Sequence, residues 1–150
     1  MKSILFVCLG NICRSPLAEG IAKKIALEFD LDLYIDSAGT AHWHIGEAPC
    51  ENSIKVAQNN KVDIKNLKAR KITKEDKKEF DYVIVMDESN YYDLQNIGFD
   101  NLYKIGNYGG FEGACVPDPY YYKGFEGFDK VYNMLNICII DFLKTEGLLK

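Results

Sequence analysis

Apolar residues along the chain alternate between short continuous runs and repeats with helical spacing. Residues 3–9 form the first run, which contains β-branched residues and is typical of a strand buried on both faces. From residue 16 to residue 29, every fourth position from Leu17 onward is apolar, and Ser15 with Pro16 offers an N-cap and a first-turn residue. The pattern predicts a strand followed directly by an amphipathic helix.

The same alternation continues to the end of the chain. Further strands are predicted at 33–37, 82–86 and 102–105, and further helices at 49–59, 73–80, 89–97 and 129–144. Strands that alternate with helices favour an α/β fold, here a three-layer sandwich with a central four-stranded parallel sheet and helices on both faces. We expect residues 1–150 to form a single domain, since the length suits one domain.

One long segment, residues 106–127, fits neither a strand nor a helix. It holds two of the 4 prolines and half of the 12 glycines, and a loop of this length in a compact domain is usually functional or disordered. Three consecutive tyrosines at 120–122 favour a functional loop.

Composition and charge exclude several classes of protein. With 47% hydrophobic and 27% charged residues, the chain is typical of a folded globular domain. A net charge of -4 argues against binding of nucleic acid or anionic membranes, and no apolar run is long enough for membrane insertion. The apolar stretch near the start is too short for a signal peptide, so we expect a cytoplasmic protein. The 5 scattered cysteines match neither a disulfide framework nor a zinc finger.

Candidate chemistry lies where the first strand meets the first helix. Residues 8–16 read Cys-Leu-Gly-Asn-Ile-Cys-Arg-Ser-Pro, at the carboxyl end of a strand, where parallel α/β sheets bind ligands. Glycine and asparagine tolerate the left-handed backbone that turns successive amides into an anion-binding nest. The segment therefore predicts a phosphate-binding loop after the first strand, formed by Leu9, Gly10, Asn11, Ile12, Cys13 and Arg14.

Three side chains are candidate catalytic residues. Cys8 faces the positive end of the helix dipole and the Ser15 hydroxyl, which favour a nucleophilic thiolate without a histidine base. Arg14, one of two arginines against 16 lysines, can hold two oxygens of a phosphoryl group with its planar fork. Asp118, between two prolines of the long loop, can protonate a leaving group and then deprotonate water. A buried core thiol and an Asp-Pro turn are the alternatives, and the combination of motifs favours catalysis.

Other residues complete the predicted site. Trp43, Tyr120 and Tyr121 form a candidate aromatic rim for a flat substrate ring. His42 and His44 have no further ligand at suitable spacing, so we expect no metal and no cofactor. A basic cluster is interpreted as a solvated face, with attraction of phosphorylated partners as the alternative; its members are Lys65, Lys68, Arg70, Lys71, Lys74, Lys77 and Lys78.

These motifs resemble the low-molecular-weight protein tyrosine phosphatases over essentially the whole chain. The resemblance rests on residues 4–16, 36–40, 86–90 and 118–121. It implies hydrolysis of phosphotyrosine and small aryl phosphates through a cysteinyl-phosphate, with Cys8 as nucleophile, Arg14 as clamp and Asp118 as general acid and base. Expected partners are phosphotyrosine-containing proteins, with phosphate and other oxyanions as inhibitors.

The same resemblance implies supporting roles around the loop. Ser15 stabilises the thiolate, Asn11 and Ser37 hold the loop by hydrogen bonds, and Trp43 and Tyr120 flank the phosphotyrosine ring. Cys13 is implied as a redox partner that forms a reversible disulfide with Cys8. Animal members carry histidines near positions 60 and 67, where this chain has Asn60 and Leu67, so the support of the loop is expected to differ.

Alternative functions on the same fold remain open. Arsenate reductases need further redox cysteines after the third strand, and residues 81–100 contain none. Protein-arginine phosphatases typically have threonine at the position of Ile12 and phenylalanine at that of Tyr120, so both positions favour phosphotyrosine. A non-catalytic phosphate-binding module or a thiol redox module is a further alternative, and Asp118 argues against binding alone.

Overall fold

A parallel sheet forms the centre of the computed structural model, which describes residues 1–119 and 124–150. Its strands, in the spatial order β2-β1-β3-β4, are β1 (Lys2–Cys8), β2 (Leu33–Gly39), β3 (Tyr82–Val85) and β4 (Leu102–Lys104). All neighbouring pairs are parallel. Because the chain leaves β1 toward β2 and later returns on the other side as β3, a crevice opens at the carboxyl end of β1.

The helices connect these strands in the predicted order. They are α1 (Arg14–Glu28), α2 (Glu51–Asn59), α3 (Asp76–Glu79), α4 (Glu88–Asn96) and α5 (Glu126–Thr145), and a 3-10 turn, Ile105–Asn107, follows β4. Every strand and helix predicted from the hydrophobic pattern has a counterpart, with bounds that differ by a few residues.

Side chains of β1 alternate between two cores. Ile4 and Phe6 pack into the larger core, which α1 and α5 cover, whereas Leu5 and Val7 pack into a smaller core with Leu94 of α4. All four β1 residues are completely buried. A strand buried on both faces needs helices on both faces, so the predicted three-layer α/β sandwich is confirmed.

Two of the differences at helix starts have a clear physical cause. The N-cap predicted at Ser15 is wrong, because α1 begins at Arg14 and no side chain caps it. The Ser15 hydroxyl instead contacts Cys8 and Asn11. Helix α5 begins at Glu126 rather than at Asp129, because Phe128, 1% exposed, packs into the core and offsets the weak helix propensity of a neighbouring glycine.

Gly39, at the end of β2, supports the loop that follows β1. It lies opposite Cys8 in the strand register. A methyl group at Gly39 would lie 2.7 Å from the carbonyl oxygen of Leu9 and 3.2 Å from Cβ of Asn11. Backbone atoms cannot rotate away as a flexible side chain can, so only glycine fits beneath the loop.

We therefore predict that Gly39→Ala lowers the free energy of unfolding by about 1–3 kcal/mol, the usual cost of overpacking. It should also weaken binding of inorganic phosphate, because the loop must move. Gly20→Ala is the matched control, since its methyl would clash with the Ile64 side chain in a part of the core away from the loop. Denaturant unfolding and phosphate titration measure the two effects, and equal phosphate affinity in both variants would contradict the prediction.

Candidate active site

A pocket of about 190 Å³ opens at the carboxyl end of β1. The residues that line it are Cys8, Leu9, Gly10, Ile12, Cys13, Arg14, Trp43, His44 and Asp118. Segments far apart in sequence thus converge on the loop that follows the first strand. The predicted rim residues Tyr120 and Tyr121 lie outside the described residues.

Cys8 lies buried at the base of this pocket, with two polar neighbours at its sulfur. Its side chain is 3% exposed, its Sγ lies 3.0 Å from Oγ of Ser15, and the backbone N–H of Asn11 donates to it over 3.3 Å. Donors aimed at sulfur stabilise the anionic form more than the thiol. The surroundings suit a thiolate.

Asn11 is the centre of the hydrogen bonds behind the loop. Its φ of 58° is left-handed, and its side-chain nitrogen donates to Oγ of Ser15 at 2.8 Å and Oγ of Ser37 at 2.9 Å. Its side-chain oxygen accepts the backbone N–H of Arg70 at 3.0 Å. The amide therefore ties α1, β2 and the segment before α3 to one residue of the loop.

Ser37 extends this network into the interior. Its hydroxyl donates to Oε1 of Glu19 at 2.6 Å, and Glu19 is only 2% exposed. Lys23 pairs with the other carboxylate oxygen of Glu19, so the buried charge is compensated. A polar chain thus runs from the surface of α1 to the loop.

The peptide groups of the loop have a defined orientation. The carbonyls of Cys8, Leu9 and Ile12 accept hydrogen bonds from the N–H groups of Thr40, Ala41 and Cys50. In a trans peptide the N–H points opposite to the carbonyl of the preceding residue. The N–H groups of residues 9, 10 and 13 therefore point away from residues 40–50.

Arg14 is held at the side of the pocket by two acceptors. Its Nη1 donates to Oδ2 of Asp87 at 2.9 Å and to the carbonyl of Val116 at 3.0 Å. Burial lowers the pKa of the guanidinium, but the charges of Cys8 and Asp87 and the hydrogen bond to Asp87 outweigh burial and raise it. Arg14 is a fixed cation, and its bond to Val116 also anchors the segment that leads to Asp118.

Asp118 and Trp43 form the outer walls of the pocket. Asp118 is exposed, and Trp43 keeps 64% of its surface accessible. The charges of Cys8 and Asp118 both raise the pKa of Arg14. The Asp118 carboxylate therefore lies close enough to Arg14 to interact with it electrostatically. The exposed ring of Trp43 borders an open entrance through which a flat group can reach the buried thiol of Cys8.

Sequence reasoning missed several residues of this site. Asp87 holds Arg14, and its position directly after β3, at the same edge of the sheet, was the available signal. His44 lines the pocket, and its Nδ1 lies 2.7 Å from Oε2 of Glu47. Glu19 and Cys50 gave no signal in the sequence.

Arg70 was placed in the solvated basic cluster, and that interpretation is wrong for this residue. Its guanidinium donates to Asp36 at 3.1 Å and forms a two-pronged pair with Asp76 at 3.0 and 3.1 Å. Asp76 also accepts the N–H of Thr73 at 2.7 Å. These bonds fix the segment whose backbone holds Asn11.

Cys13 makes a contact that the sequence did not suggest. Its thiol donates to Sγ of Cys50 over 2.9 Å. This hydrogen bond, together with burial, raises the pKa of the Cys13 thiol far above its ordinary value. A disulfide between Cys8 and Cys13 stays a prediction, and none of the five cysteines, all of them among the described residues, is part of a disulfide in this structure.

Searches of the described ranges, 1–119 and 124–150, give no metal site and no membrane span. No group of three or more histidine, cysteine, aspartate or glutamate side chains among these residues is arranged to hold a metal ion. No helix in the same part of the chain is long and apolar enough to cross a membrane.

Comparisons with known proteins show that this chain is similar to phosphatases. Residues 3–147 match the model of the low molecular weight phosphotyrosine protein phosphatase family. The chain is 35% identical to the low molecular weight protein-tyrosine-phosphatase PtpA of Staphylococcus aureus strain Newman, over 100% of this chain and 99% of that protein.

Solved structures give the same result. A protein tyrosine phosphatase from Entamoeba histolytica, in a product state mimic, matches with a TM-score of 0.91 and 32% identity, over 100% of this chain and 98% of that one. DARP, a Drosophila arginine phosphatase, matches with a TM-score of 0.88 and 32% identity, over 97% of this chain and 98% of that one.

The Asn11 network leads to a prediction about stability. Asn11→Gly should lower the free energy of unfolding by about 2–4 kcal/mol, because three hydrogen bonds are lost. Asn11→Ala should cost about 1 kcal/mol more, since alanine resists the left-handed backbone. Asn60→Ala is the control, because the Asn60 side chain bonds only the Val56 carbonyl among the described residues, so this variant should lose less than about 1.5 kcal/mol. Denaturant unfolding measures all three, and equal losses for the glycine and alanine variants would argue against backbone strain at this position.

Proposed function

The chain belongs to the low molecular weight phosphotyrosine protein phosphatase family, and we propose that it hydrolyses phosphotyrosine through a cysteinyl-phosphate on Cys8. Membership makes the chain an enzyme, a protein-tyrosine-phosphatase of the hydrolase class. One observation carries the proposed mechanism: a buried sulfur with two polar neighbours lies in a pocket that Arg14 and Asp118 also line.

Phosphate binding is the first step of the proposal. The N–H groups of residues 9, 10 and 13, turned away from residues 40–50, form a nest for the phosphoryl oxygens together with the rest of the loop. Arg14 contributes a planar fork that fits two oxygens, and its pairing with Asp87 keeps it in place before substrate arrives. Free phosphate and other oxyanions should occupy the same nest and inhibit.

Transfer to the enzyme is the second step. The Cys8 thiolate attacks phosphorus in line with the tyrosyl oxygen, forming the S–P bond as the O–P bond breaks. Asp118 donates its proton to the departing phenolate. Ser15 and the N–H of Asn11 keep the sulfur anionic before attack, and Arg14 balances the charge that spreads over the equatorial oxygens.

Hydrolysis is the third step. Asp118, now a carboxylate, takes a proton from a water that attacks phosphorus on the face the phenol has left. The S–P bond breaks, Cys8 returns to the thiolate, and inorganic phosphate leaves the nest. One carboxyl group thus acts first as acid and then as base.

The apolar walls favour an aryl phosphate. Trp43 is exposed at the mouth, and Ile12 and Leu9 line the pocket beside the nest. A phenyl ring gains hydrophobic contact with such walls, whereas a phosphoserine side chain is too short to reach the same depth. Proteins that carry phosphotyrosine are the proposed partners.

Phosphoarginine is a second candidate substrate, because the Drosophila arginine phosphatase is similar over nearly the whole chain. Ile12 favours phosphotyrosine over phosphoarginine, because its β-branched apolar side chain offers no hydrogen bond to a guanidinium. The discriminating experiment compares phosphate release from matched phosphotyrosine, phosphoserine and phosphoarginine peptides, with chelator and reductant present.

We predict turnover of the phosphotyrosine peptide by wild type and no detectable turnover by Cys8→Ser, because a hydroxyl in this pocket is a poor nucleophile at neutral pH. Cys8→Ser should still bind inorganic phosphate, which shows that the loop is folded. Preference for the phosphoarginine peptide would change the proposed substrate and leave the proposed mechanism intact. Turnover by Cys8→Ser equal to that of wild type would refute the proposal that Cys8 is the nucleophile.

Asp118→Asn should slow hydrolysis of the phosphotyrosine peptide by about 10²–10⁴-fold, the usual contribution of a general acid. An aryl phosphate whose phenol is more acidic needs less help from a proton donor, so its rate of enzyme phosphorylation should fall much less. Burst kinetics with both substrates measure this step. An equal loss on the two substrates would show that Asp118 acts by some means other than protonation.

A further inference from the structure

Cys13 and Cys50 form a close thiol pair next to the pocket. Their sulfurs are 2.9 Å apart, although the two residues are 37 positions apart in sequence. Cys50 immediately precedes α2, and its N–H donates to the carbonyl of Ile12 at 2.8 Å. The backbone of one cysteine is therefore bonded to the residue next to the other, which fixes the distance between them.

A closed ring of hydrogen bonds holds the two sulfurs in this position. The Cys13 thiol donates to Sγ of Cys50, the Cys50 thiol donates to Oγ of Ser53 at 3.1 Å, and the Ser53 hydroxyl donates to the carbonyl of Cys13 at 3.1 Å. Ser53 is 1% exposed and anchors the ring in the core. A disulfide has an S–S bond of about 2.05 Å, so the sulfurs need to approach by less than about 1 Å.

The surroundings of Cys8 are different. Its Sγ contacts the hydroxyl of Ser15 and the N–H of Asn11, which suit an anion that attacks phosphorus. Cys13 is instead a half-buried thiol whose sulfur contacts a second thiol. Since a sulfur can join only one disulfide at a time, pairing of Cys13 with Cys50 excludes the pairing of Cys13 with Cys8.

We propose that Cys13 and Cys50 form an intramolecular disulfide when the protein meets a hydroperoxide. The Cys50 sulfur, which accepts the hydrogen bond of the Cys13 thiol, loses its proton and attacks the peroxide oxygen; the O–O bond breaks, a sulfenic acid forms, and an alcohol or water leaves with that proton. The other thiol then attacks the sulfenic sulfur, the S–S bond forms, and the hydroxyl leaves as water with the thiol proton. Two thiols and one peroxide become one disulfide, one alcohol or water, and one water.

The bond would join the phosphate-binding loop to the start of α2. It goes beyond the proposed function and is tested without any turnover assay. The variant Cys8→Ser is suited to this test, because trypsin releases Cys8 and Cys13 in one peptide, residues 3–14, and removal of Cys8 leaves a single thiol in it. The partner peptide, residues 25–55, contains Cys50 alone.

Folded Cys8→Ser is treated with hydrogen peroxide until half of the exposed Cys115 is oxidised, alkylated, digested without reductant and analysed by mass spectrometry. We expect the linked peptides 3–14 and 25–55, two hydrogens lighter than their sum, and their separation by reductant. The double variant Cys8→Ser with Cys50→Ser should give no such link. Absence of the link in Cys8→Ser, while Cys115 is oxidised, would overturn the proposal.

Thermal unfolding shows whether the bond fits the folded state. Because the bond closes the loop from residue 13 to residue 50, oxidised Cys8→Ser should have a higher Tm than its reduced form, whereas the double variant should show no such gain. A linked product with a lower Tm than the reduced protein would mean that the bond had trapped a distorted state, and it would equally overturn the proposal.

Discussion

The left-handed backbone at Asn11, held by its own side chain, is the constraint on which the site depends. For a residue other than glycine this conformation costs about 1–2 kcal/mol. Three hydrogen bonds to Ser15, Ser37 and the Arg70 backbone, each contributing about 0.5–1.5 kcal/mol, together offset that cost. The turn, the direction of the Asn11 N–H toward Cys8 and the packing of β2 beneath the loop are therefore coupled.

The anion site that we propose in this acidic protein depends on the local arrangement of charge. Its carboxylates are engaged behind the pocket: Glu19 is buried and paired with Lys23, Asp76 is paired with Arg70, and Asp87 is paired with Arg14. Backbone amides and one guanidinium are left to face a ligand. Asp118 is the carboxylate that lines the pocket, where the proposed mechanism needs a proton donor. The net charge of -4 therefore says little about the sign of the potential inside the pocket.

The sequence predicted those parts of the site whose characteristic residues lie next to one another along the chain. Residues 8–16 carry the strand end, the left-handed pair and the helix start in one segment, and Asp118 is marked by its two prolines. Asp87 and Arg70 were missed because they act across 73 and 59 positions, and only the fold brings them to Arg14 and Asn11. The lysines around Arg70 in the sequence led to the wrong prediction that this residue is solvated, whereas it pairs with two aspartates in the folded protein. The prediction of an N-cap at Ser15 was wrong for a related reason. Its hydroxyl hydrogen-bonds to Cys8 and Asn11 rather than to the backbone of its own helix.

The contact between Cys13 and Cys50 is not separate from the anion site, because both use the same stretch of backbone. The N–H of Cys50 holds the carbonyl of Ile12, and that bond turns the amide of Cys13 away from α2. Any change in the covalent state of Cys50 therefore acts on a peptide group that belongs to the proposed phosphate nest. Cys8, at the other end of the loop, is held by Ser15 and Asn11 and does not share this anchor. The two thiols consequently have separate supports, as the proposed reaction of Cys8 with phosphorus and the proposed bond between Cys13 and Cys50 require.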